Sequence, residues 1–139
     1  MAGIVSGFWT LGYDLYAQKI NENGDREWHR SYGEANVYNE RIEDVLQDSS
    51  GSFVIVGERD SQAGDADIWV EQINAVGEIL WQNAYGEEGW DRGAAIIEDA
   101  SGSYVVLGYS DSFRSPYGLA DNQALILNLS REGDLNRAR

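Results

Sequence analysis

The sequence of 139 residues contains no cysteine, one proline and one histidine. Without cysteine the chain forms neither disulfides nor thiolate metal sites, and its redox compartment is left open. Because His29 is the only imidazole, a His-pair metal site and a Cys–His nucleophile are excluded within one chain. We expect His29 at the surface, next to Trp28.

Basic residues are also few: 10 Lys and Arg stand against 24 Asp and Glu, for a formal net charge of −14. Nucleic acids and anionic membrane surfaces bind clustered Lys and Arg, so we expect neither as a partner. No run of eighteen apolar residues is present, and residues 1–7 lack the basic stretch that opens a signal peptide. These features leave the localisation undetermined.

What the sequence does contain is an internal repeat. Residues 13–34 return 53 positions later as residues 66–87, and residues 48–57 return 51 positions later as residues 99–108. Each copy holds four short runs of β-favouring residues separated by turn residues. A period of about 50 residues with several strands is typical of propeller blades and similar modular arrays.

The repeat predicts an all-β chain, a partial β-propeller of four-stranded antiparallel blades within one domain, residues 1–139. The repeat copies cover about residues 13–60 and 66–111, and partial blade pieces cover residues 3–10 and 122–139.

Two predicted strands, residues 53–56 and 104–107, are apolar at consecutive positions instead of alternating. A strand of this kind needs cover on both faces, as in a blade that lies between two others. We therefore expect both strands to be buried on both faces.

The second copy carries a spaced pattern of aromatic, acidic and small residues: Asp67, Trp69, Gly77, Trp81, Tyr85, Gly86, Asp91, Ala94, Ile97, Gly102, Tyr104 and Gly108. The pattern resembles the tandem β-propeller repeats of bacterial secreted and surface proteins. The resemblance covers nearly the whole chain and implies a four-stranded blade without a shared catalytic activity. The first copy departs from it at Tyr16, Glu40 and Glu43, which replace Trp, Asp and Ala.

The blades at the two ends are incomplete. Residues 4–7 align with residues 54–57, so the first blade begins on a second strand, and Arg137 falls where Trp28 and Trp81 stand in the other copies. Two to three blades are fewer than the four to eight of a closed propeller. We expect self-assembly into a ring, with a dimer favoured; the alternative is a piece of a longer gene product.

Four residues are candidates for ligand binding. Trp90 is the best placed to stack on a sugar, with Asp91 beside it to bind hydroxyls. Glu43 and Asp44 replace small alanines near the expected propeller axis, where they would bind a cation or be solvated. The acidic loop around Asp65 lacks the spacing of an EF-hand, so a turn role is favoured over calcium binding.

Another set of residues is predicted to be structural: two aromatic residues that fill the gaps between blades and four glycines at turns and strand ends. They are Trp28, Trp81, Gly24, Gly77, Gly57 and Gly108.

These features predict a non-catalytic binding or scaffold module whose partners are itself and a glycan or another protein, with no cofactor. A lectin-like, glycan-binding propeller is the alternative, and a carboxylate- and metal-dependent hydrolase is third. A scaffold would bury Trp90 and Glu43 at a contact, whereas a lectin would expose Trp90 in a pocket. An enzyme would cluster carboxylates in a cleft.

Overall fold

The computed structural model describes residues 3–4, 15–32, 39–60, 64–111 and 123–138. These residues form β-strands and turns without a helix, as predicted, so none of them belongs to a helix that could cross a membrane. The strands are β1 (Gly3–Ile4), β2 (Leu15–Ile20), β3 (Arg26–Tyr32), β4 (Glu40–Gln47), β5 (Phe53–Asp60), β6 (Ala66–Ile73), β7 (Ile79–Tyr85), β8 (Asp91–Glu98), β9 (Tyr104–Ser110), β10 (Gln123–Leu129) and β11 (Leu135–Ala138).

The strands pair antiparallel in three sheets, and in each sheet neighbours in sequence are neighbours in space. Sheet 1 contains β1–β3, sheet 2 contains β4–β7 and sheet 3 contains β8–β11. Ile4 lies opposite Lys19 in sheet 1, as Val54 lies opposite Gln72 in sheet 2. Strand β1 therefore takes the place of a second strand, in agreement with the sequence alignment.

The ladders of the three sheets have the same register. Phe53 pairs with Ile73 in sheet 2, and Tyr104 pairs with Leu129 in sheet 3. By this register a residue of β6 corresponds to the residue 56 positions later in β10 and 53 positions earlier in β2. The side chains of β6 can thus be compared with counterparts in both neighbouring sheets.

Sheet 2 lies between the other two sheets and supplies both parts of the core. Successive residues of a strand point to opposite faces, so β5 and β6 contribute alternately to the two contacts. The contact with sheet 3 contains Val54, Val56, Ile68, Val70, Ile96, Tyr104, Val106, Leu125, Leu127 and Leu129. The contact with sheet 1 contains Leu15, Ala17, Tyr32, Phe53, Ile55, Trp69 and Ile73.

The two consecutive apolar strands differ in their cover. Residues 53–56 of β5 are buried on both faces, as predicted. In β9 the expectation is wrong for Leu107, which is 43% exposed, and Tyr109 on the same face is 52% exposed. Their side of sheet 3 faces away from sheet 2, and no described strand packs on it.

The last strands of sheets 1 and 2 each anchor their sheet to the next sheet in sequence. The indole N–H of Trp28 donates to the carbonyl of Ala75 at 2.9 Å, and the hydroxyl of Tyr32 donates to the carbonyl of Gly77 at 2.8 Å. Both acceptors lie in the turn between β6 and β7. We call this pair of bonds the aromatic anchor.

The aromatic anchor recurs between sheets 2 and 3. The indole of Trp81 donates to the carbonyl of Arg131 at 3.0 Å, and the hydroxyl of Tyr85 donates to the carbonyl of Gly133. These acceptors lie in the turn between β10 and β11. The anchor therefore sets how each sheet lies on the next.

The turn that receives the anchor requires glycine for two reasons. Gly77 and Gly133 both have φ of +83°, a region that side chains disfavour. A Cβ at Gly77 would also lie 3.1 Å from the Trp28 ring. Gly24 holds the same turn position in sheet 1 with φ of +87°, where a Cβ would meet no described atom within 4 Å. Among the described residues, then, none occupies the receiving site of sheet 1.

A second pair of glycines sits where two strands of one sheet approach closely. A Cβ on Gly57 would overlap the carbonyl of Arg41, and a Cβ on Gly108 would crowd the carbonyl of Arg92. Both glycines lie beside the register shift that β4 and β8 share. These positions have no room for a side chain.

Polar groups also join sheets 2 and 3. Asp48 accepts hydrogen bonds from Gln72 at 2.7 Å and from the hydroxyl of Tyr104 at 2.7 Å, and all three are buried. Burial alone would raise the pKa of Asp48, but hydrogen bonds from Ser50, Tyr104 and Gln72 hold it below its ordinary value. A buried carboxylate is thus satisfied by donors from both sheets.

Removing one hydroxyl of the anchor tests its role. We expect Tyr32→Phe and Tyr85→Phe each to lower the free energy of unfolding by about 1 kcal/mol, because each removes one hydrogen bond to a turn carbonyl. Tyr109→Phe, in a half-exposed ring, is the control and should leave stability unchanged. Urea unfolding measures all three variants. Equal stability of Tyr85→Phe and Tyr109→Phe would contradict the anchor.

Candidate functional site

An open groove of about 480 Å³ lies on sheet 3, lined by Trp90, Arg92, Tyr109 and Asp111. Trp90 directly precedes β8, and Arg92 of β8 pairs with Tyr109 of β9. Trp90 is 43% exposed, so two aromatic rings face solvent at one place. In the sequence, Trp90 is the best single candidate for stacking on a sugar.

The groove residues hold one another in place. The amide of Trp90 donates to the carboxylate of Asp111, and the amide of Asp111 donates to the carbonyl of Trp90 at 3.1 Å. The guanidinium carbon of Arg92 lies 5.5 Å from the centroid of the Trp90 ring, within cation–π range. The groove thus offers ring faces, a carboxylate and a guanidinium to a polar ligand.

Asp91 does not share the groove with Trp90. Its side chain is fully buried and accepts a hydrogen bond from the amide of Glu87 at 3.0 Å. The nearby carboxyl of Asp67 has a raised pKa, caused by its burial and by the charges of Asp65 and Asp91. Asp91 therefore holds the loop before β8, while Trp90 faces the solvent.

Glu43 and Asp44 lie apart from the groove lining. Glu43 is the exposed extra residue at the register shift of β4. Asp44 is half-buried, and its carboxylate accepts a hydrogen bond from the amide of Ile96 at 3.0 Å. Asp44 therefore joins β4 to β8 of the next sheet. Within the described ranges no three acidic or histidine side chains are grouped to hold a metal ion.

A second pocket, of about 160 Å³, lies between sheets 1 and 2 and was not predicted. It is lined by Leu15, Tyr32, Glu40, Arg59, Trp69, Glu71, Ile79 and Gln82. Strand β6 places Trp69 and Glu71 on the same face, two residues apart, and that face is the one toward sheet 1. We call it the Glu71 pocket.

Glu71 is 1% exposed, and its Oε1 atom has no hydrogen-bond partner among the residues that the structure describes. Burial, together with the charge of Glu40, raises the pKa of Glu71 to about 7, while Arg59 acts in the opposite direction. Burial and the charge of Glu71 in turn raise the pKa of Tyr32 to about 12. The pocket thus contains a carboxyl group that titrates near neutral pH.

The other charged groups of the Glu71 pocket are paired. Nε of Arg59 lies 3.4 Å from Oε1 of Glu40. The guanidinium of Arg59 also lies 4.4 Å from the centroid of the Trp69 ring. Within the described part of the chain, Glu71 is left as the pocket's carboxyl group without an ion-pair partner.

In sheet 3 the place that matches Glu71 is apolar. By the shared register, Leu125 and Leu127 stand where sheet 2 has Trp69 and Glu71. Both leucines are buried in the core. The sequence signal was therefore a glutamate aligned with a leucine, which becomes visible only once β10 is aligned with β6.

The comparisons with known proteins give no family for this chain. No family model matches the sequence, and no curated protein matches it.

The buried carboxyl group makes stability depend on pH. The pKa of Glu71 is about 7 in the folded chain against an ordinary value of 4.5. Folding therefore favours the protonated carboxyl group of Glu71. The stability that this protonated group contributes is lost as the pH rises through about 7. We expect Glu71→Gln to remove this loss, making the variant more stable than the parent by roughly 3 kcal/mol above neutral pH.

Urea unfolding from pH 4.5 to 8 measures this difference. Glu78→Gln, which changes an exposed carboxylate, is the control and should follow the parent at every pH. Parallel profiles of Glu71→Gln and the parent would show that Glu71 is ionised at no cost in the folded chain.

Proposed function

We propose that the three sheets are blades of a β-propeller and that the chain is a non-catalytic scaffold or binding module completed by a second copy of itself. The observation that carries the proposal is the exposed apolar face of sheet 3. It contains Ile97, Leu107, Tyr109 and Ile126, all exposed. Contiguous apolar surface of this kind marks an interaction site.

The repeat register supports a blade as the occupant of this face. Leu107 and Ile126 correspond to Val56 and Val70 of sheet 2, which are fully buried against sheet 3. The same positions are thus covered wherever a following sheet is present. A further sheet stacked in the same way would cover them again.

A second copy offers a suitable sheet. Val70 packs in the cluster with Leu125 and Leu127 of sheet 3, and the residues of sheet 1 at those two places are Tyr16 and Gln18. Both are half-buried and alternate with the residues that face sheet 2. The turn at Gly24, the receiving site of sheet 1, lies in the same sheet.

Two copies with three sheets each would give six blades, within the four to eight that propellers use. The contact joins two different faces of the chain, so it is heterologous and requires rotation that closes the ring. Arg137 stands where Trp81 anchors sheet 2. The contact between copies therefore lacks an indole donor and is weaker than the contacts within the chain.

The mass in solution tests the assembly. Light scattering at micromolar concentration should give at least a dimer for the parent chain. Ile126→Asp should give a monomer, because it places a charge in the centre of the contact. Val76→Asp, at an exposed turn residue, should keep the parent mass. A compact monomeric parent, or an assembled Ile126→Asp variant, would refute the proposal.

The groove on sheet 3 favours a second candidate function, glycan binding. Trp90 is exposed beside Tyr109, with Asp111 and Arg92 next to the rings. Aromatic faces pack on the apolar faces of sugars, while charged groups of this kind hydrogen-bond to hydroxyls. This is the placement that a lectin-like module requires of Trp90.

Titration with methyl β-galactoside, methyl α-mannoside and N-acetylglucosamine, followed by the indole signals in nuclear magnetic resonance, tests glycan binding. We expect a saturable shift of the Trp90 indole signal with at least one sugar. The sugar should remain chemically intact during the titration. Trp90→Ala should abolish binding, and Val76→Ala should preserve it. No saturable shift with any of the three sugars, or binding that survives Trp90→Ala, would contradict this candidate.

A further inference from the structure

The Glu71 pocket has no role in the assembly or in the glycan groove, and the fold does not require a carboxyl group at the position of Glu71. Leu127 fills the place of Glu71 in sheet 3 and is buried without a charge. A buried carboxyl group costs stability unless it is paired. An unpaired buried carboxyl group at a position where a leucine would pack equally well points to a ligand.

We propose that the Glu71 pocket binds a small organic cation, a primary ammonium on a short apolar chain, with the ammonium against the Glu71 carboxylate. The buried Oε1 atom of Glu71 lies at the pocket and receives no hydrogen bond from the described residues. An ammonium group supplies both the missing donor and the missing positive charge. Charge-assisted hydrogen bonds of this kind are the strong ones in a buried site.

The charges around the pocket select the sign of the ligand. Arg59 is paired with Glu40 and stacked on Trp69, so its charge is already compensated. An anionic ligand would be repelled by the negative charge of Glu71, and the pocket residues would offer it no uncompensated positive charge. Calcium takes six to eight oxygen ligands, which the two carboxylates of the pocket do not provide. A monovalent cation fits the single remaining charge.

The size and walls of the pocket select the body of the ligand. A volume of about 160 Å³ lies well below that of pockets for drug-sized molecules. Leu15 and the Trp69 ring form apolar walls, and the exposed Ile79 and Gln82 line the mouth. A short alkyl chain would lie along these walls and extend toward solvent through the mouth of the pocket.

Binding is coupled to the proton on Glu71. Among the described residues, the titratable and charged groups that face Glu71 are Tyr32 on β3, Glu40 on β4 and Arg59 on β5, whereas the pocket residues of β2 and β7 are uncharged. Because the free carboxyl titrates at about pH 7 and an ammonium requires its ionised form, each binding event releases a proton at lower pH. Affinity should therefore rise about tenfold per unit up to neutral pH and level off above it.

Calorimetric titration of the full chain with n-butylammonium chloride tests the site, with n-butanol and sodium butyrate as the neutral and anionic counterparts. We expect saturable binding of butylammonium at pH 8 and none of the other two. Titrations at pH 6 in buffers of different ionisation enthalpy should show nearly one proton released for each ammonium bound.

Two variants complete the test. Glu71→Gln keeps the shape of the side chain and should weaken binding about tenfold or more, while unfolding measurements show the variant to be folded. Glu78→Gln removes an exposed carboxylate outside the pocket and should bind like the parent. The proposal is overturned by absence of saturable binding, by equal binding of butanol or butyrate, or by full affinity in Glu71→Gln.

Discussion

The rest of the structure depends on the need to cover both faces of an apolar sheet. Every residue of sheet 2 from Phe53 to Val56 is buried, because one neighbour lies on each side. Burial of a large aliphatic side chain contributes about 1.5–3 kcal/mol. The hydrophobic effect does not fix how one sheet is oriented on another. The aromatic anchors of Trp28 and Trp81 supply this orientation. Each anchor fixes one sheet on the turn of the next, so stacking proceeds in one register.

The sequence predicted the parts of the fold that are local. The all-β content, the four-strand order and the pairing of β1 at the place of a second strand follow from the repeat and from turn residues such as Gly77. The repeat could not show what covers a sheet, since that depends on which sheets are present. For this reason the burial of β5 was predicted correctly, while Leu107 and Tyr109 of β9 are exposed.

The same limit applies to the candidate sites. Trp90 could be proposed as a sugar contact from the sequence because it is an aromatic residue in a polar loop beside an aspartate. Asp91 has the same neighbours in sequence, yet its side chain turns inward. Glu71 gave no local signal, because its pocket combines residues from several other strands and from two sheets. Only the register of the repeat shows that leucine would be sufficient at its place. A polar group that is retained although it lowers the stability of the fold commonly indicates a function.

In the proposed assembly, the outer face of sheet 3 receives sheet 1 of another copy in the register seen within the chain. Since the chain has no cysteine, one cysteine in each of two variants reports this contact without background. Ile126→Cys mixed with Gln18→Cys, treated with a short bismaleimide, should form a cross-linked heterodimer, because the residues that correspond to them within the chain, Val70 and Leu127, belong to one buried cluster. Ile126→Cys mixed with Val76→Cys should not. Equal cross-linking in both mixtures, or none in the first, would contradict the account.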